Sequence, residues 1–223
     1  IGPGQGAITE PLLATGAQLT AVEIDRDLAA ALRSQYASHP RFTLIEDDVL
    51  KAPLDALQPT PLRLVGNLPY NISTPLIFRL LALPGVVDMH FMLQKEVVDR
   101  LVATAGTPAY GRLSVMRAAK ATAQSVLKIG PGAFSPPPKV DSAVVRLVPQ
   151  QPAFQITAPA AFETVVRLAF SARRKTLANG LKSVLTRDQI QASGVDPSAR
   201  PETIEPAAFA ALGEAVAASE QTR

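Results

Sequence analysis

Asn67-Leu68-Pro69-Tyr70 brings together an amide side chain, a backbone carbonyl held by proline and an aromatic face. The chemistry that suits such a group is activation of an amine. An exocyclic amine of a nucleobase is a poor nucleophile, because its lone pair is delocalised into the ring. Acceptors aimed at both of its hydrogens favour a pyramidal nitrogen and turn the lone pair toward an electrophile. The side-chain oxygen of Asn67 and the carbonyl of Leu68 can be those acceptors. Pro69 fixes its own φ and so holds the direction of that carbonyl, and Tyr70 supplies a flat face on which a base can stack. If the electrophile is already reactive, no metal and no strong general base is needed, and positioning supplies most of the catalysis. The bland alternative is a capping turn ahead of a helix.

A second constellation precedes it. Gly2-Pro3-Gly4-Gln5-Gly6 places glycines at alternate positions, where the backbone can turn tightly and admit a ligand without a Cβ in the way. Glu23, 21 residues after Gly2, ends the next strand, and Asp48 ends the one after. A carboxylate at the first position can accept both hydroxyls of a ribose, and one at the second can hold an adenine amino group. Acids and glycine turn lie together at the carboxyl edge of an alternating α/β sheet, the usual place for an adenosine-containing ligand. The pattern is G-x-G-x-G and not G-x-G-x-x-G. By itself it leaves a nicotinamide cofactor and S-adenosylmethionine both open.

The elements that must position these residues follow from periodicity. The spacing predicts helices over residues 6–15, ended by Gly16, and over 26–36, where Leu28, Leu32 and Tyr36 share a face. Short apolar strands are expected at 19–24, 42–45, 62–65 and 86–93. Thr74-Pro75 is a helix start, with a hydroxyl cap and proline at the first helical position. Two helices are expected within 95–119, and terminal strands at 125–129 and 142–148 flank the stiff Pro136-Pro137-Pro138 segment. From about residue 152 only alanine-rich helical segments remain. The expected architecture is a mainly parallel α/β sheet with helices on both faces over residues 1–151, then a small all-helical domain over 152–223. Because Ile1 immediately precedes the glycine turn, the strand expected to feed that turn lies upstream.

Composition narrows the class. The chain has 223 residues, 47% hydrophobic and 18% charged, with a formal net charge of +3 and no cysteine. That balance suits a globular fold, and no apolar run reaches transmembrane length. Absence of cysteine excludes disulfides and thiolate metal sites and suits a reducing cytoplasm. His39 and His90 have no ligand-spaced partners, so neither a metal site nor a catalytic histidine is expected.

Gly66-Asn67-Leu68-Pro69-Tyr70-Asn71-Ile72-Ser73 resembles the catalytic motif of the small-subunit rRNA dimethyladenosine transferases, a family of Rossmann-like methyltransferases. Residues 91–98 (Phe-Met-Leu-Gln-Lys-Glu-Val-Val), 110–115 (Tyr-Gly-Arg-Leu-Ser-Val) and 134–143 (Phe-Ser-Pro-Pro-Pro-Lys-Val-Asp-Ser-Ala) are similar to further stretches of it. The resemblance implies methyl transfer from S-adenosylmethionine to two adjacent adenines near the 3′ end of small-subunit rRNA, during ribosome biogenesis. It implies catalytic roles for Asn67, Leu68, Pro69 and Tyr70. It also implies cofactor contacts from Gly2, Gly4, Glu23, Ile24, Asp48, Val49 and Asn67. The family's upstream motif, roughly Phe-Gly-Gln-Asn-Phe-Leu, is not within these residues. The partner implied is small-subunit rRNA or an immature small ribosomal subunit, bound by a cytoplasmic monomer with no membrane involved. The related large-subunit rRNA methyltransferases are the nearest alternative, and the Pro-Pro-Pro-Lys-Val-Asp-Ser segment and the length of the tail favour the small-subunit branch.

An adenine must be splayed out of its helix to be methylated. Tyr70 offers one stacking face. Phe134 suits either stacking or core packing, and the resemblance favours stacking. Arg173, Arg174 and Lys175 are expected to begin a tail helix, with Lys182 on the same face, and to contact phosphate. Arg112 is expected to bind RNA as well, and Lys95, Arg100 and Arg117 to extend the basic surface.

Overall fold

The computed structural model describes residues 1–57, 60–69, 71–171 and 175–221. Tyr70, Arg173 and Arg174 therefore lie outside the described residues. Two compact units are present: Ile1–Lys95 with Val126–Val148, and Glu96–Ser125 with Pro149–Arg223.

The first unit opens with a short helix α1 (Thr9–Ala14), strand β1 (Leu19–Glu23), helix α2 (Arg26–Gln35) and strand β2 (Phe42–Glu46). α1 is shorter than expected, because residues before Thr9 form the glycine turn. Its end is as expected: Gly16, at φ +85°, follows the last turn in the left-handed conformation. Asp25 caps α2, its carboxylate accepting the N–H groups of Asp27 and Leu28 at 2.9 and 3.0 Å. β1 and β2 run parallel with Glu23 opposite Glu46.

Strand β3 (Leu62–Asn67), helix α3 (Ser73–Leu80) and strand β4 (Val86–Gln94) come next. α3 starts at Ser73 with Ile72 as its cap residue, so Thr74 is no cap and Pro75 sits within the first turn. Proline is tolerated there, since N–H groups of the first turn have no helical acceptor. Leu76, Ile77 and Leu80 of α3, with Met89, Phe91 and Leu93 of β4, form the core of this unit. Strands β5 (Ala121–Ile129) and β6 (Ser142–Pro149) complete a four-stranded sheet of order β3-β4-β6-β5. β3 is parallel to β4, and β6 is antiparallel to it. The 91–98 and 134–143 motifs, far apart in sequence, meet here: Gln94 faces Ser142, and Lys95 N–H donates to Asp141 O at 2.9 Å.

The second unit holds helices α4 (Lys95–Val102, its first residue aside), α5 (Arg112–Ala118), α6 (Pro159–Ser171), α7 (Leu177–Gly180), α8 (Arg187–Ala192) and α9 (Pro206–Gln221). Its core joins Tyr110 and Val115 to Phe162, Val165, Val166, Leu181 and Phe209. The units thus interleave along the chain, where the expected division was a single cut after residue 151. The physical reason is Tyr110: it is buried, its hydroxyl donates to Ile204 O at 2.7 Å, and its ring packs edge-on to Phe170 at 6.1 Å. Ser114 secures the same segment, donating to Arg100 O at 2.6 Å and accepting Gly111 N–H at 3.1 Å.

Candidate active site

Three strand ends carry the site. Gly2 N–H donates to Val22 O at 3.0 Å, and the nitrogen of Ile1 donates to Val65 O at 2.8 Å. The glycine turn therefore enters between the carboxyl ends of β1 and β3. Gly2 and Gly4 both adopt left-handed backbone, at φ +58° and +57°, a region costly for residues with a Cβ. A Cβ on Gly2 would lie 3.7 Å from Asn67 O. The first glycine and the amide residue, 65 positions apart, are thus neighbours.

Glu23 is buried, at 6% exposure. One carboxylate oxygen accepts Gly4 N–H at 3.1 Å, and the other accepts Ile24 and Asp25 N–H at 3.0 and 3.1 Å. It holds the glycine turn against the start of α2. Ile24, beside it, is 66% exposed, an apolar side chain open at the edge of the sheet.

β2 ends beside β1, with Asp47 N–H donating to Glu23 O at 2.9 Å. The turn that follows presents Asp48 and a buried Val49. Asp48 accepts Leu50 N–H at 2.9 Å, and the Lys51 ammonium stands 3.7 Å from its other oxygen. One contact here was announced by no motif. Arg79 of α3 donates to the carbonyl of Val49 and, at 2.6 Å, to that of Ala52. The only sequence signal was a cation in the last turn of an otherwise apolar helix.

Asn67 ends β3, exposed, opposite Met92. Leu68 N–H donates to Met92 O at 3.2 Å and its side chain is buried, so the peptide leading into Pro69 is anchored on the sheet. Gly66 is required by close approach: a Cβ there would lie 2.7 Å from Ile1 O. Ile72 N–H donates to Pro69 O at 3.2 Å and turns the chain into α3.

Phe134, half-buried, lies on the connection between β5 and β6. That connection returns to the carboxyl end of β4 at Asp141, the same edge that carries Asn67. Gly2, Gly4, Glu23, Ile24, Asp48, Val49, Asn67 and Leu68 are thus gathered at one edge of the first unit. The carboxylates of Glu23 and Asp48 and the open face of Ile24 fit the phosphate-free adenosine part of S-adenosylmethionine.

Arg112 and Lys175 are exposed and belong to the second unit. Lys175 precedes α7 and Lys182 follows it, so they share no helix face: Thr176 caps a helix of a single turn that ends at Gly180. Arg117 is also corrected as a surface cation. It donates to Leu101 O at 2.8 Å and Ala121 O at 3.2 Å, and burial lowers its pKa. Arg100 pairs with Glu96. Among the described residues no group of three or more His, Cys, Asp or Glu could hold a metal, and no helix is long and apolar enough to cross a membrane.

The family model described as ribosomal RNA adenine dimethylase matches residues 1–217. A curated relative from Pseudomonas syringae pv. tomato, named ribosomal RNA small subunit methyltransferase A, is 54% identical over 221 residues, covering 96% of this chain and 81% of its own length. The protein of that name from Pseudomonas aeruginosa is 51% identical, over 97% of this chain and 82% of its own. Among solved structures, the 23S rRNA methyltransferase ErmE superposes with a TM-score of 0.73 at 28% identity, over 97% of this chain and 88% of its own. A dimethyladenosine transferase from Plasmodium falciparum gives a TM-score of 0.74 at 24% identity, over 95% and 86%. The last likeness shows a shared fold.

Proposed function

The chain belongs to the ribosomal RNA adenine dimethylase family, and we propose that it dimethylates the N6 amino groups of two adjacent adenines in the 3′-terminal hairpin of small-subunit rRNA. It acts on an immature small ribosomal subunit, as a cytoplasmic monomer. The observation that carries the reading is the adjacency of Gly2 and Asn67, with Glu23 tied to the same turn. It brings a nucleoside cradle and an amine-orienting group to one place. The small-subunit branch is favoured because relatives with that name are 51–54% identical, against 28% for the large-subunit enzyme.

S-Adenosylmethionine, when bound, supplies a methyl group on a positively charged sulfur. The chain's own residues hold and orient. Glu23 accepts a ribose hydroxyl and Asp48 the adenine amino group, while Ile24 and Val49 offer apolar surface to the ring. Asn67 and the Leu68 carbonyl accept the two hydrogens of the target amine, and Pro69 restricts the ψ of Leu68, which keeps that carbonyl from turning away. Tyr70 and Phe134 stack on the splayed base, which offsets an unstacking cost of a few kcal/mol. Arg112, Arg173, Arg174 and Lys175 hold the RNA by its phosphates.

The test is incubation of the protein with labelled S-adenosylmethionine and unmethylated small ribosomal subunits, followed by reverse transcription. Dimethylated adenines block Watson–Crick pairing, so adjacent stops near the 3′ end of the rRNA are expected. Label without adjacent stops near the 3′ end of the rRNA, or no label in the RNA at all, would overturn the proposal.

A further inference from the structure

We propose that Arg79 is a positioning residue for the methyl donor: its guanidinium holds the Asp48–Ala52 turn in the shape that presents Asp48 and Val49 to the cofactor adenine. The inference rests on the S-adenosylmethionine reading above.

The turn is built around one residue. Lys51 and Ala52 N–H both donate to Asp48 O at 2.8 Å, and Leu50 N–H donates to the Asp48 carboxylate at 2.9 Å. The N–H groups thus converge on Asp48, and the carbonyls of Val49 and Ala52 are taken by Arg79. A planar guanidinium reaches both carbonyls with separate nitrogens, whereas a lysine ammonium is a point donor on a flexible stem. The other end of the clamp is rigid, since Leu76, Ile77 and Leu80 of the same helix are fully buried. α3 begins at Ser73, just beyond the amine-orienting segment. Arg79 therefore ties the adenine-side turn to the helix that leaves the catalytic motif, without touching the reacting atoms. A cation in a last helical turn also suits the helix dipole, but that effect would be indifferent to what the Val49 and Ala52 carbonyls do.

The experiment is calorimetric titration with S-adenosylhomocysteine, alongside thermal melting, of the wild type, Arg79→Met, Arg79→Lys, Asp48→Asn and the Asp48→Asn/Arg79→Met double variant. Arg79→Met is expected to weaken binding about tenfold, as loss of a charge-assisted clamp does, and Arg79→Lys by an intermediate factor. In the Asp48→Asn background, Arg79→Met is expected to cost a clearly smaller factor, because coupled residues are non-additive and only the Val49 contact is left to lose. The fall in melting temperature should be the same in both backgrounds. Wild-type affinity in Arg79→Met, or equal fold losses in both backgrounds, would make Arg79 a plain brace and overturn the proposal. If Arg79→Met does not fold, Arg79→Lys and its double variant with Asp48→Asn carry the same comparison. A wild type that binds no S-adenosylhomocysteine would overturn the cofactor reading itself, whatever the variants do.

Discussion

The carboxylate of Glu23 accepts the backbone N–H of Gly4 at 3.1 Å, while its second oxygen accepts the N–H groups of Ile24 and Asp25. Turn, strand end and helix start are thereby joined by one side chain. One acceptor site is left for a ligand, since a carboxylate offers about four and the backbone fills three. The acid pins the glycine turn in place, and in the proposed site it is also a wall of the nucleoside cradle.

Glu23→Ala is accordingly expected to weaken S-adenosylmethionine binding roughly ten- to hundredfold, since hydrogen bonds to charged groups are worth about 1.5–3 kcal/mol. It should also lower the melting temperature, because three backbone N–H groups lose their acceptor. Calorimetry and melting on the same preparation check both, and unchanged affinity would remove Glu23 from the cofactor site.

Asn67 is exposed at the end of β3, so Asn67→Ala should leave the fold intact. Methyl transfer should fall by on the order of a hundredfold, because an acceptor that orients the amine is gone. Affinity for rRNA should stay within about threefold. Single-turnover transfer and filter binding separate these quantities; near-normal turnover would sink the assigned role.

Tyr110→Phe should destabilise the protein by about 1–3 kcal/mol, because it strands the buried carbonyl of Ile204. The effect depends on pH. Burial raises the Tyr110 pKa above its ordinary value near 10. The unfolded chain then releases that proton at a lower pH than the native one, so this contribution is full below about pH 10 and declines above it. Denaturant melts of both proteins from pH 7 to pH 11 should show their difference shrinking at the alkaline end. A constant difference would contradict the burial argument.

Replacing Arg173, Arg174 and Lys175 with Gln should flatten the salt dependence of rRNA binding, with S-adenosylmethionine affinity unchanged. Each neutralised phosphate contributes about 0.7–0.9 to the slope of log K against log salt, so a loss of up to about two to three is expected if all three residues touch phosphate. Filter binding across a salt series measures it. A slope equal to wild type means that these charges face solvent.

Most strands, and the placing of the candidate site residues at their ends, are legible in the sequence alone. Alternating apolar runs marked β1 to β4, Gly16 marked the end of α1, and the glycine turn, Glu23, Asp48 and Asn67 stood at successive strand ends. These signals are local: side-chain period, φ preference and cap chemistry act over a few residues, so a single chain displays them. Helix starts were less exact, as at Ser73, because several first-turn residues satisfy the same caps.

Other features depend on which distant segments meet. Arg117 read as a surface cation until its guanidinium was found on the carbonyls of Leu101 and Ala121. Tyr110 stands in a stretch similar to the family, but only the fold shows that it is a core residue bonded to Ile204, 94 positions away. Arg79 carried no signal beyond its charge, since its partners Val49 and Ala52 are backbone carbonyls, which every sequence has everywhere. Residue types and spacing declare what groups are available, but a hydrogen bond requires a donor and an acceptor about 3 Å apart, and that distance is set only when the helices and strands that carry them have packed.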